Sequence, residues 1–328
     1  MDEQPDTRDV VVIGGGPAGL SAALVLGRAR RTVTVVDGGH PRNACSPSLH
    51  GFLTRDGATP AEFLAAARRD VAGYGTELVE DEVVAVAGGP DDFRVTLAGG
   101  RVLRARRLVA ATGVRDELPD VPGLSERWGR DVLHCPYCHG HEVRDRTLAV
   151  LADDAEGAVH QALLLGQWSG DVVLLLHGIA EEELDDDGRA LLAGAGVSVV
   201  AGPVGSLVVA DDEVRGVRLE DGRQVACEAV FVAPRFRLNL GPLAALGPRT
   251  VAGDMGSRLE TDDQGRTTVP GVWAAGNLAD LSAQVLGAAE LGSRTAIGIN
   301  GELVLADARE RAAARFAPAG GPRRPAME

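Results

Sequence analysis

Two cysteines separated by two residues, in His134-Cys135-Pro-Tyr-Cys138-His139-Gly140, are the side chains of this sequence best suited to chemistry. Such a pair can close a small disulfide and exchange it with an incoming thiolate. It can also be half of a zinc site, but no second C-x-x-C completes one, because Cys45 and Cys227 are isolated. Pro136 suits the first turn of a helix that begins after Cys135. The free N–H groups of such a helix terminus would lower a thiol pKa. His134, His139 and His141 bracket the pair and are three of the seven histidines. A histidine beside a thiol can move protons near neutral pH. Two blander readings stand beside the redox one: reduced packing thiols, or a local Cys/His metal site with no distant ligands to fold around. Cys45 and Cys227 read as structural.

A second chemical signal lies near the start. Gly14, Gly16 and Gly19 form G-x-G-x-x-G, with Pro17 and Ala18 opening a helix behind the apolar run Val10-Val-Val-Ile13. Glycines there allow a tight turn, close approach of backbone to a pyrophosphate, and close helix–strand packing. Asp37 ends the next strand, where a carboxylate accepts from a ribose 2′-OH. Strand, loop, helix and acid in register predict a dinucleotide with a free 2′-OH, FAD or NAD rather than NADP. Gly276-Asn277 and then Gln284-Val285 at a helix start argue for FAD. They would address the ribityl chain and the flavin ring, and a helix N-terminus there would stabilise reduced flavin.

The elements that position these residues follow from apolar runs and turn signals. Strands are expected at Asp9–Ile13 and Thr32–Val36 around a helix from Ala18 to Arg30. Val83–Ala87, Phe93–Leu97 and Val102–Ala105 read as antiparallel strands, and Leu108–Ala111 as a separate buried one ending at Thr112-Gly113. Arg115–Gly123 and Arg235–Pro248 read as linkers. Between them a second β-α-β unit runs through Thr147–Leu151, a helix from Glu156 to Trp168, and Val172–Leu176. Strands near Val197–Val200, Leu207–Val209, Val214–Leu219 and Val230–Val232 continue it. Gly271–Asn277 is a strand and turn, and Ala283–Ala308 a long helix. The closing strand and helix need a sheet to join, which returns the chain to its first domain.

Composition narrows the function. The 328 residues suffice for two domains. A net charge of −14 argues against nucleic acid or an anionic membrane surface as partner. All 33 basic residues are arginine, which removes Schiff-base chemistry and a P-loop lysine. No apolar run approaches ~18 residues, so no transmembrane helix is expected. The acidic N-terminus leads straight into a strand and does not read as a signal peptide. A cytoplasmic location is expected, and in a reducing compartment a vicinal cysteine pair reads as catalytic.

Order and spacing together carry a family resemblance. Ile13-Gly-Gly-Gly-Pro-Ala-Gly19, Ala111-Thr112-Gly113, the central C-x-x-C and Gly271-Val-Trp-Ala-Ala-Gly276 resemble the low-molecular-weight thioredoxin reductases and their flavin-dependent relatives. Within that group, Cys135-Pro-Tyr-Cys-His-Gly140 looks most like the FAD-dependent dithiol oxidases of the gliotoxin and holomycin type. The resemblance implies an α/β fold of two Rossmann-like, three-layer nucleotide-binding domains, the second inserted into the first. Residues 1–116 and 246–317 would bind FAD, 117–245 would be a degenerate NADPH-type domain carrying the cysteines, and 318–328 a disordered tail. It implies a homodimer. Cys138 would be the flavin-proximal sulfur, Cys135 the exchanging sulfur, and His139 the acid/base where reductases usually carry Asp. Asn277 replaces the usual Asp of the Gly-Asp flavin motif, and the stretches around Arg42-Asn43 and His50–Gly57 would line the flavin.

The second nucleotide loop departs from the reductase pattern. Ala152-Asp-Asp-Ala-Glu-Gly-Ala158 lacks the paired glycines and puts Asp153, Asp154 and Glu156 where a pyrophosphate would lie. A carboxylate ~4 Å from a phosphate costs about 1–4 kcal/mol. The next strand runs into Glu181-Glu-Glu-Leu-Asp-Asp-Asp187, where NADPH reductases place arginines. By itself that run reads as a solvated helix face; together with the loop it predicts that NADPH does not bind. The expected activity is oxidation of a small-molecule dithiol to its disulfide, with O2 as acceptor and H2O2 as product. A disulfide reductase fed by NADPH or another donor, and a flavin-bound redox sensor, are the alternatives.

Overall fold

The computed structural model describes residues 7–152, 154–253 and 255–316. Asp153 and the 318–328 tail lie outside the described residues. Seven α-helices run through them: α1 Pro17–Arg28, α2 Pro60–Ala72, α3 Leu124–Arg127, α4 Pro136–His139, α5 Ala155–Leu165, α6 Asp186–Gly194 and α7 Val285–Phe316. No helix among the described residues is long and apolar enough to cross a membrane.

The first sheet orders its strands as Glu77–Glu80, Val33–Asp37, Arg8–Ile13, Val102–Ala110, Phe93–Leu97 and Val83–Ala87, with Val272–Ala274 also paired to Val102–Ala110. Arg8–Ile13 is parallel to both neighbours, with Val10 facing Val33 and Arg107. Its Val and Ile side chains are buried on both faces, as a parallel sheet requires. Leu20, Leu26, Ile299 and Leu303 of α1 and α7 pack one face around Trp273. Phe93, Val95, Leu243 and Leu259 fill the other.

Two sequence expectations are corrected here. Val102–Ala110 is one strand and not two. Its first half is antiparallel to Phe93–Leu97, and its second half parallel to Val272–Ala274. The central Arg106 and Arg107 do not break it, because Asp307 (2.7 Å) and Asp91 (2.9 Å) neutralise them. The two expected linkers, moreover, each include part of a strand. Val114–Glu117 pairs antiparallel with Arg235–Leu238, so the chain's two crossings between sheets zip together. Helix α2 and the strand Glu77–Glu80 were not anticipated at all.

The second sheet is parallel throughout, in the order Ser198–Val200, Val172–Leu175, Leu148–Leu151, Ala229–Val232, Val132–Leu133. Helices α5 and α6 cover one face through Ala158, Ala162, Leu165 and Leu192. A three-stranded antiparallel sheet, Val204–Ala210, Glu213–Leu219 and Gln224–Ala226, covers the other. The result is the α/β architecture with two Rossmann-type sheets that the sequence implied. The cysteines follow directly on the short strand Val132–Leu133, at the carboxyl end of this sheet, where doubly wound sheets gather their ligands.

Candidate active site

One cleft of about 1310 Å³ joins the glycine loop to the cysteines. That exceeds the ~300–1,000 Å³ of ordinary small-molecule sites and suits an extended ligand. Of the residues expected around a dinucleotide, Gly14, Gly16, Pro17, Ala18, Asp37, Arg42, Asn43, Thr112, Gly113, Asn277, Gln284 and Val285 line it. Gly19 and Gly276 lie behind its surface and are both buried.

At the glycine loop the geometry fits a dinucleotide. Gly14 has φ +110°, which disfavours any side chain. A Cβ at Gly19 would stand 1.9 Å from the Gly14 carbonyl oxygen, so α1 rests directly on the turn. Gly16 caps α1 with no side-chain bond, no acid sits in the first turn, and a Cβ built at Gly16 meets nothing within 4 Å. The N–H groups of that turn are open to an anion. Asp37 ends its strand in the cleft, ion-paired with Arg68 of α2. Arg42 is held by Asp116 at 2.6 Å and lies 4.8 Å over the Phe236 ring. Asn277 donates its amide to the carbonyls of Asp280 (3.1 Å), Leu281 (3.3 Å) and Ala283 (2.9 Å), so it shapes the loop leading into α7.

Cys135 and Cys138 are disulfide-bonded, and both line the cleft. Cys135 caps α4, whose single turn ends at Gly140. The turn is too short to add a large macrodipole. A different donor is present: the Gln284 side chain, immediately before α7, donates to Cys135 Sγ at 3.5 Å. The loop backbone is pinned from behind by Gln161 Nε2, which donates to the His134 carbonyl at 3.0 Å.

The three histidines part company. His134 Nδ1–H donates to the Val232 carbonyl at 3.0 Å, which leaves Nε2 as the lone-pair nitrogen of the neutral ring. Burial holds His134 below the ordinary histidine value, against the opposing effect of that bond. His139 lines the cleft, and burial lowers it too, partly offset by Glu142. Both imidazoles are therefore neutral near pH 7 and able to accept a proton. His141 is exposed. Among the described residues no cluster of His, Cys, Asp and Glu could hold a metal ion.

The isolated cysteines also differ. Cys227 is buried, and burial pushes its thiol up to about 12, as suits an inert packing residue. Cys45, expected to be structural, is instead exposed and lines the cleft. Partial desolvation still raises its thiol.

The second nucleotide loop looks unlike the first. Asp154 caps α5, and its Oδ1 accepts from the Gly157 N–H at 2.7 Å. Glu156 adds a second carboxylate in the first turn. The acidic run beyond Ile179 is also helix-capping. Glu183 accepts from the Ala180 N–H at 2.9 Å, and Asp185 from the Gly188 N–H at 2.6 Å at the start of α6.

Sequence reasoning missed Arg68, Gln161 and the whole of α2. The last had a readable signal, since Thr59-Pro-Ala-Glu62 is a capping box and forms one here.

Comparison with known proteins agrees with this architecture. The family model for pyridine nucleotide-disulphide oxidoreductases matches residues 8–151 and 172–294. The unmatched stretch between those blocks contains the acidic loop and α5. The thioredoxin reductase sirT of Leptosphaeria maculans is 34% identical over 324 residues, covering 94% of this chain and 98% of that protein. The thioredoxin reductase tcpT of Claviceps purpurea is 32% identical over 280 residues, covering 82% and 86%. The crystal structure of HlmI is 51% identical with a TM-score of 0.86, covering 94% of this chain and 97% of its own. The chain is an oxidoreductase and belongs to the pyridine nucleotide-disulphide oxidoreductase family, whose flavoproteins bind FAD.

Proposed function

We propose that the protein is an FAD-dependent oxidase that closes a disulfide in a small-molecule dithiol through Cys135 and Cys138, and that it does not use NADPH. The carrying observation is the contrast between two helix N-termini. That of α1 is glycine-capped and free of acids, whereas that of α5 is closed by its own Asp154 and carries Glu156. One end suits a pyrophosphate; the other has filled its anion site with a carboxylate.

FAD would be held by the turn at Gly14–Gly19, by Asp37 at the ribose and by the segment before α7. When bound it supplies the two-electron acceptor that reoxidises the cysteine pair, with O2 the terminal oxidant and H2O2 its product. The chain's own residues perform the exchange. One substrate thiolate attacks Cys135 Sγ, the Cys135–Cys138 bond breaks, and Cys138 leaves as a thiolate. The second substrate thiol loses its proton and attacks the substrate sulfur of the mixed disulfide. The product disulfide forms, and Cys135 leaves as a thiolate. Two electrons pass from the dithiol to the pair, and two protons are released. Neutral His139 serves as the base for one of them. Tyr137, 68% exposed between the two cysteines, packs edge-on against Trp168 and borders an outer groove of about 610 Å³ by which a compact apolar dithiol can approach.

A disulfide reductase fed by NADPH is the competing reading, favoured by the names of the relatives sirT and tcpT. Anaerobic bleaching of the flavin band separates the two. The oxidase reading expects bleaching by a small dithiol, recovery in air with H2O2 release, and no comparable bleaching by NADPH. Rapid bleaching by NADPH overturns it.

A further inference from the structure

We propose that Gln284 is a catalytic residue of the thiol exchange: its side-chain amide stabilises Cys135 as a thiolate when that sulfur leaves the mixed disulfide. The inference rests on the exchange chemistry proposed above and gives it a side-chain donor. Gln284 Nε2 lies 3.5 Å from Cys135 Sγ, although the two residues are 149 positions apart in the chain. Gln284 is also the cap of α7, because its carbonyl accepts from the Ala288 N–H at 2.8 Å. The amide on that sulfur is therefore carried by the residue that opens a 32-residue helix. Asn277 fixes the approach, its amide holding three carbonyls of the loop that ends at Gln284.

The energetics favour the leaving step. In the disulfide the amide faces a neutral sulfur, and the bond is weak. As the substrate disulfide forms, the electron pair of the breaking bond goes to Cys135 Sγ, and the same contact becomes charge-assisted. An interaction that strengthens as charge develops lowers the barrier more than it stabilises the ground state. A leaving thiol of lower pKa also departs faster. Cys138, which leaves first, lacks this partner.

The test reads each sulfur separately in the FAD-loaded protein. Cys138→Ser leaves Cys135 free, and Cys135→Ser leaves Cys138 free. Each is alkylated with iodoacetamide across pH 6–10 and read by peptide mass, with and without Gln284→Leu. The expected result is that Gln284→Leu slows alkylation of Cys135 near pH 7 by about three- to tenfold and moves its midpoint upward. Gln284→Glu, which keeps the shape but replaces the neutral donor with a negative charge, moves it at least as far. Alkylation of Cys138 stays within about twofold, since no donor to it is lost. An unmoved Cys135 overturns the proposal, and so does an equal shift of both cysteines, which would mark a general opening of the cleft. A changed flavin spectrum with an unmoved Cys135 returns the amide to the cofactor and also overturns it. A shifted Cys135 in a protein whose flavin no dithiol bleaches leaves the Gln284 assignment standing and removes the oxidase reading instead.

Discussion

The carboxylate of Asp154 accepts from the Gly157 N–H at 2.7 Å, closing the N-terminus of α5 where a second nucleotide would place its phosphates. The bond is an ordinary helix cap, and its cost to a dinucleotide is twofold: a donor is consumed and a negative charge is installed. Asp154→Gly removes both while costing only about a few tenths of a kcal/mol of stability, since glycine is a tolerated cap. The variant is expected to bind NADPH at least about fivefold tighter than the parent, the equivalent of ~1 kcal/mol of relieved repulsion. Calorimetric titration of both proteins measures it. Equal affinities would mean that Asp154 does not govern nucleotide binding.

Gly140 ends α4 against a wall. A Cβ there would stand 2.6 Å from the Pro136 carbonyl oxygen and 2.7 Å from Cδ2 of Trp168. The first is backbone and the second part of a rigid ring, so neither yields without moving the cysteine turn. Gly140→Ala should keep its flavin, because the glycine turn at Gly14–Gly19 lies on the other sheet and is untouched, yet react with dithiol more slowly by at least about tenfold, because displacements near 1 Å are costly in positioned chemistry. Stopped-flow bleaching gives the rate. A variant as fast as the parent would show that the turn tolerates the shift.

What could be read from the sequence was what is local. The glycine turn, Asp37 at a strand end and the spacing of Cys135 and Cys138 each depend on a few adjacent residues, and all meet in one cleft. Pairings between distant segments were not legible. Val114–Glu117 and Arg235–Leu238 look like charged, proline-flanked linkers and become strands only because each satisfies the other's backbone. Gln284 reads as a flavin ligand from its place at a helix start, and nothing in the sequence shows its amide arriving on Cys135. Val102–Ala105 and Leu108–Ala111 read as separate strands because Asp307, which neutralises the intervening Arg106, lies far along the chain.

The two cysteines outside the pair should label very differently. Cys227 is 1% exposed with its thiol pushed up to about 12, whereas Cys45 is exposed in the cleft. With the Cys135–Cys138 bond intact, iodoacetamide at mildly alkaline pH is expected to modify Cys45 slowly, its thiol being raised by partial desolvation, and to leave Cys227 untouched. Peptide mass mapping over time distinguishes them. Modification of Cys227 as fast as Cys45 would mean that the core against the second sheet opens readily.

Burial of His134 and His139 makes stability depend on pH in a definite direction. Both are held below the ordinary histidine value by desolvation. In the unfolded chain they protonate near about 6.5. Between that value and the lower folded-state values, the unfolded state binds protons that the folded state refuses. Stability therefore rises with pH across this window and is lost as pH falls through it, levelling off below the folded values. His134→Asn removes one titrating ring, and its amide can still donate to the Val232 carbonyl that His134 holds at 3.0 Å. The thermal midpoint of the parent should fall further between pH 7.5 and 5.5 than that of the variant. Parallel curves for the two would mean that His134 takes up its proton as readily folded as unfolded, and that its burial carries no penalty.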